Sequence, residues 1–390
     1  MPTQIKKMTK KFVNTAILIG AAGILSIYSC TDKTKIYADN DVVFRDLDTT
    51  VKPADDFFSY ANGGWLKRNP IPAAYASWGI GNVVVEELRD RLKKINEDAL
   101  IAKAAKGSNT QKIGDFYFSG MDTVDIERGG LDPLKLELFK IDQIKNIKDL
   151  ADEFAHLQTI GVETPIVAGV FQDPKNSDKN VLGLYQGGIG LPSRDYYFNT
   201  DAHSVEVRTD YQEKHLPIIY KLSGLSADAA IAVSKQTYSI EKFLADSSRK
   251  LEDLRDPYRN YNKMPLAGLN KLAPDIDWNR TLAEMDYKNV DTVIVGQPEY
   301  YRALNKALKT YSIDDWKNYL RKNIIDTFGS YLSKPFDSEV FRFYETVLSG
   351  SKEQLPRWKR VLDKENELMS CMLRETSVWH QFVSLYWMQY

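Results

Sequence analysis

The residue types that most often do chemistry are sparse in this chain, and their spacing limits what they can do. The 390 residues contain four histidines, His156, His203, His215 and His380, and two cysteines, Cys30 and Cys371. A zinc centre that activates water needs two histidines at i and i+4 on one helix face, as His-Glu-x-x-His, with the Glu as general base. No histidine in this sequence has another four residues away. His203 and His215 have no cysteines or acids at matched spacing, so they read as surface or core side chains. There is no Gly-x-Ser-x-Gly element, and Cys371 receives no nucleophilic role. The expectation is that the chain supplies no catalytic residue and no metal ligand.

Other suggestive patterns have structural explanations. Gly187-Gly188-Ile189-Gly190 lacks the Lys-Ser/Thr of a phosphate loop, and Leu191-Pro192 follows where a helix should begin. It reads as a tight turn leaving a strand. Ser193-Arg194-Asp195-Tyr196-Tyr197 follows, with Arg194 and Asp195 able to form a buried pair. Adjacent acids such as Asp55-Asp56, Glu86-Glu87 and Asp314-Asp315 do not face each other on a helix, so they read as caps or solvated charges.

Composition sets the class. Hydrophobic content of 43% with 27% charged residues is that of a globular protein with a sizeable core. Basic and acidic residues number 52 and 53, so no charge excess points to nucleic acid as a partner. Two cysteines cannot build a disulfide framework.

Residues 1–30 have the pattern of an export signal. Lys6, Lys7, Lys10 and Lys11 precede an apolar run from Phe12 to Tyr28, and Ile27-Tyr28-Ser29-Cys30 resembles a bacterial lipobox. The expectation is a lipid attached at Cys30, anchoring the protein to a membrane of the bacterial cell envelope. Residues 31–45 then form a flexible tether.

The elements that must position the rest are mostly helices. Glu86–Ala102 brings Leu88, Leu92, Ile95 and Leu100 near one face. Ser226 caps a segment in which Ala229, Val233, Thr237, Ile240 and Leu244 repeat at helical spacing to about Ala245. Trp316–Phe328 and Val340–Leu348 carry similar patterns. Thr164–Phe171 and Val181–Gln186, rich in β-formers, predict a hairpin around the connector Asp173–Asp178, and Thr292–Val295 is a further strand candidate. The fold class is therefore mainly α with a small β-hairpin, and no repeat of fixed period occurs.

The most specific stretch is Asp55-Asp-Phe-Phe-Ser-Tyr-Ala-Asn-Gly-Gly-Trp-Leu-Lys-Arg-Asn-Pro-Ile-Pro72, read as a short helix that Asn62-Gly63-Gly64 ends. With Lys112-Ile-Gly-Asp-Phe-Tyr117, Gly187–Tyr197, Asp256-Pro257, Tyr261-Asn-Lys-Met264, Pro298-Glu-Tyr300 and Pro356-Arg-Trp-Lys-Arg360, in that order, it resembles the N-terminal part of the neprilysin and endothelin-converting-enzyme family of zinc metallopeptidases. The resemblance runs from about Asp55 to Asn366.

The resemblance implies the N-terminal helical lobe of a two-lobed enzyme, spanning residues 46–366. Such an enzyme encloses a chamber in which short peptides are hydrolysed, with zinc held by the other lobe. No zinc is expected on this chain. The Asn-Ala-x-Tyr substrate motif of the family is absent from this sequence. In mammalian members an arginine after the Ile-Pro contacts substrate; counted from Pro72, that place falls on Ser77, a weaker candidate for facing substrate. The alternative is a non-catalytic lipoprotein that binds peptides or docks to a partner. Residues 367–390 depart from the resemblance. Leu373-Arg-Glu-Thr376 can be encoded so that the next reading frame gives Leu-Gly-Lys-Leu, the continuation that the resemblance implies. A frameshift near Ser370, leaving a truncated product, is the expectation.

Overall fold

Asp56 begins the first long helix by accepting a hydrogen bond from the Ser59 amide at 2.9 Å. The computed structural model describes residues 41–373; Cys30, His380, the leader and the tail beyond Leu373 lie outside the described residues. The chain divides into two compact units, one ending at Pro72 but including Ser77–Asn82, the other formed by Ala73–Ala76 and everything from Val83.

Helix α1 (Phe57–Arg68) dominates the first unit and runs straight through Gly63 and Gly64, where the sequence predicts a stop. The reason is a close crossing. A Cβ on Gly64 would sit 2.7–2.9 Å from the carbonyl oxygens of Arg45, Asp46 and Leu47, and one on Gly63 would sit 2.6 Å from Asp48 Cβ. The glycines let the preceding segment lie against the helix, where Lys67 pairs with Asp48 at 2.7 Å and Arg68 with Asp46.

Helix α2 (Ile80–Ile101) follows, then α3 (Asn109–Met121), α4 (Thr123–Gly129), α5 (Lys135–Gln143) and α6 (Ile147–Thr159). The residues α2 buries are Arg89, Asn96 and Ala99, whereas Leu100 is exposed. Arg89 is buried because it has partners: Asp363 takes two of its N–H groups at 2.6 and 2.9 Å, and Glu86 a third at 2.5 Å. An apolar-periodicity argument cannot see a buried face built on ion pairs.

Four strands form one sheet in the order β1-β2-β4-β3: β1 (Val167–Asp173), β2 (Asn176–Tyr185), β3 (Lys263–Pro265) and β4 (Thr292–Val295). The hairpin pairs Val170 with Leu182, and β4 runs parallel to β2 with Val295 opposite Leu184. Most of the expected connector 173–178 is strand. Asp173 makes this possible by accepting from the Lys175 amide at 2.9 Å, closing the turn over Pro174-Lys175. It is anchored in turn by Lys263 at 2.7 Å and Tyr261 at 3.0 Å. The residues before β1 stay out of the sheet; Thr164 instead bonds the Ile166 carbonyl at 3.0 Å.

Helices α7 (Ala202–Asp210), α8 (Leu216–Leu222) and α9 (Ala227–Ser247) come next, followed by α10 (Leu266–Leu272), α11 (Trp278–Glu284), α12 (Pro298–Thr310), α13 (Ile313–Phe328), α14 (Lys334–Val340) and α15 (Arg357–Leu373). Ser226 caps α9 as expected, but the first turns bury Ala230 and Ser234, one residue beyond Ala229 and Val233. The core packs α6, α9, α12 and α13 against the sheet, with Phe154 edge-on to Trp316 at 5.5 Å and Trp278 edge-on to Tyr301 at 5.6 Å. The stretch predicted as a helix over Val340–Leu348 is the end of α14 and a π-helical turn, Phe341–Val347; a second π-helical turn, Tyr211–His215, joins α7 to α8. The protein is mainly α with a small sheet, as its sequence predicts.

Candidate functional site

Ser77 lies exposed in the loop between α1 and α2. The glycine loop after β2 is a packed turn: Gly188 takes a φ of +73°, and a Cβ there would meet Pro165 at 2.9 Å. Tyr300 and Tyr319 donate to the carbonyls of Gly187 and Gly188, each at 2.8 Å. No room remains for a phosphate. Arg194 and Asp195 approach only to 3.8 Å and are half-buried, with the guanidinium donating to the Ala245 carbonyl at 3.2 Å. Asp56 and Asp315 are caps, but Glu86 departs from a solvated charge: it joins Tyr75, Arg89 and Lys359, and although burial alone would raise its pKa, the bonds from Lys359, Tyr75 and Arg89 hold it down at about 2.

The two π-helical turns help to assemble a buried polar cluster. Each inserts an extra residue into a turn and so re-aims side chains that an α-helix would splay apart. His215 lies fully buried, stacked on Phe343 at 4.5 Å, with Glu339 2.9 Å from Nδ1 and Asp326 3.1 Å from Nε2. Lys322 bridges Asp326 at 3.3 Å and Glu241 at 3.0 Å, and Tyr197 and Tyr211 donate to Glu241, both at 2.8 Å. Arg342 joins Glu339 to Asp210 at 2.8 Å each, and Lys214 covers Asp210. Burial alone would lower the His215 pKa; Asp326 and Glu339 outweigh it and raise it. Cations and carboxylates balance throughout, so the cluster holds α8, α9, α13 and α14 together and offers no open face to a substrate. Sequence reasoning placed His215 as a surface or core residue, and core is its place. Its partners, scattered from Asp210 to Arg342, carry no spacing signal.

A different cluster opens to solvent. Glu153 and His156 stand at i and i+3 on α6, and Glu137 reaches them from α5; one donor atom from each lies within 4.8 Å of the others. Glu153 and His156 line a cleft of about 720 Å³ together with Lys140, Asp149, Asp152, Arg280 and Glu284. Burial pushes the Glu153 carboxyl up, and Glu153 Oε1 has no hydrogen-bond partner. Glu137 Oε2 is 2.6 Å from His156 Nε2, and the Lys140 ammonium is 3.0 Å from that same nitrogen. The sequence search missed this grouping because it looked for histidines four residues apart. The usable signal was Glu153-Phe-Ala-His156, an acid and an imidazole one helical turn apart.

This cluster does not fit the zinc centre of a peptidase. It offers one imidazole and two carboxylates with an ammonium among them, whereas that chemistry needs a histidine pair with a general-base Glu beside the bound water. No hydrolytic step follows from the described residues.

Comparison with known proteins gives the context. Residues 53–384 match the model of peptidase family M13. Endothelin-converting enzyme 1 of Rattus norvegicus is 30% identical over 339 residues, 84% of this chain and 44% of the relative. Neprilysin-3 of Drosophila melanogaster is 28% identical over 363 residues, covering 87% and 45%. Among solved structures, the inhibitor complex of Mycobacterium tuberculosis zinc metalloprotease 1 superimposes with a TM-score of 0.80 at 27% identity, over 87% of this chain and 52% of that one. The chain spans less than half the length of these curated relatives.

Proposed function

The chain belongs to peptidase family M13, the neprilysin and endothelin-converting-enzyme family of zinc metallopeptidases, and on that premise we propose that it is the N-terminal lobe of a zinc endopeptidase acting on oligopeptides. The observation that carries this reading is the likeness, over 87% of the chain, to about half of a zinc metalloprotease solved with an inhibitor. In this reading the lobe forms one wall of the peptide chamber, and the metal and the general base come from outside the described residues. The first unit adds support. Phe57, Phe58, Leu66 and Ile71 are exposed there, apolar surface of the kind a second lobe covers. The protein would be exported and held by a lipid at Cys30, and Ser77 is a candidate for facing substrate.

A chimera tests the reading. Residues 53–366 of this chain would replace the matched part of the mycobacterial protease. Chelator-sensitive cleavage of oligopeptides, with folded proteins spared, is the expected result. A folded, soluble chimera that binds zinc yet cleaves nothing would count against it. The second reading is a non-catalytic surface lipoprotein that binds peptides or docks to a partner. Saturable binding of labelled oligopeptides by the chain alone, without turnover, would favour it.

A further inference from the structure

We propose that Glu137, Glu153 and His156 form a site for one divalent cation of zinc type. This departs from the expectation, drawn from histidine spacing, that the chain binds no metal.

Two of the three donors already converge. His156 Nε2 faces Glu137 Oε2 at 2.6 Å, and the Lys140 ammonium sits 3.0 Å from the same nitrogen while donating to both Glu137 oxygens at 3.0 and 3.1 Å. The place beside the imidazole and the carboxylate thus already holds a cation. A bare imidazole nitrogen and an ionised carboxylate are both metal ligands.

Glu153 supplies the independent observation. It is 8% exposed, and its Oε1 is buried without a partner. A buried carboxylate oxygen left unpaired costs free energy comparable to a lost hydrogen bond to a charged group. One oxygen of this carboxylate lies within 4.8 Å of the other two donors. One imidazole and two carboxylates match the borderline donor set that zinc takes. Zinc bonds of about 2.0–2.2 Å require the donors to close in slightly, which side-chain rotation on α5 and α6 can supply.

Lys140 occupies the place of the cation. Its ammonium pairs with Glu137 at 3.0 Å, yet its side chain is 37% exposed and the cleft gives it room to swing away. The ammonium and the metal therefore compete, and removing the ammonium should favour the metal.

Isothermal titration of zinc chloride into the purified, untagged chain tests this. This sequence holds no His-Glu-x-x-His, so binding reports on this cluster rather than on a peptidase centre. One equivalent with a Kd of about 1 µM or tighter is expected. His156→Ala and Glu153→Gln should each weaken it at least about tenfold while far-UV circular dichroism stays unchanged, and His203→Ala should leave it intact. Lys140→Met, which leaves all three ligands in place, should bind more tightly. Absence of saturable zinc binding by the native chain, binding that survives His156→Ala, or binding unchanged by Lys140→Met would each overturn the proposal.

Discussion

His215 Nε2 lies 3.1 Å from Asp326 Oδ1, with both side chains buried. A second carboxylate, Glu339, stands 2.9 Å from the other ring nitrogen, so the imidazole donates from both sides and is held as a cation. The arrangement joins α13 and α14 to the end of a π-helical turn that no apolar pattern marks. Replacing the histidine leaves buried carboxylates with one partner fewer. His215→Gln should therefore cost about 3 kcal/mol in urea unfolding near neutral pH. Because the folded pKa is raised, the stabilisation is complete below about 6.5 and is lost as pH rises through the folded value. The gap between native protein and variant should narrow on going to alkaline pH. A gap that widens would contradict the assignment.

Glu365 on α15 is a second buried acid, but without a cation. Burial pushes its carboxyl up to about 7, and its Oε1 is unpaired, as is Oδ1 of its neighbour Asn96. A protonated carboxyl could donate where a carboxylate cannot. Its contribution is complete below the ordinary Glu range and is lost as pH rises through 7. Glu365→Gln should match the native protein near pH 5 and exceed it by about 1–3 kcal/mol in mildly alkaline buffer. Thermal melts at the two pH values would show it.

The crossing at α1 gives a paired test. Gly64→Ala places a methyl against three backbone carbonyls that cannot step aside. It should destabilise by about 2 kcal/mol, outweighing the roughly 1 kcal/mol that alanine gains in a helix. Gly81 on α2 has nothing within 4 Å of the same position. Gly81→Ala should stabilise by about 0.5–1 kcal/mol. A Gly64→Ala variant as stable as the native protein would contradict the close crossing.

The proposed lipid anchor is open to a simple fractionation. With Cys30→Ala, the protein expressed in a bacterium should move from the membrane pellet to the soluble fraction, because one marginal apolar segment holds less firmly than several acyl chains. Unchanged partitioning would remove the lipoprotein proposal.

Much of the architecture was legible before any coordinates. The caps at Ser226 and Asp56, the hairpin, and the strand at Thr292–Val295 all follow from local rules: a side-chain oxygen that meets free amides, and β-branched runs flanked by turn residues. The errors share one cause. Gly63-Gly64 and Asp173–Asp178 look like breaks in a one-dimensional pattern, but the first admits a crossing segment and the second is held by Tyr261 and Lys263 from a distant loop and strand. The buried face of α2 was misread because Arg89 meets Asp363, 274 positions away.

By itself the sequence determined the class, the family resemblance and most helices, since these depend on periodicity, capping and ordered motifs read within a short window. Only the tertiary structure decided which polar residues are buried and with whom. It joined His215 to Asp326 and Glu339, and Glu137 to Glu153 and His156. Burying a charge is affordable only beside its partner, and chain separation carries no information about which partner the fold supplies.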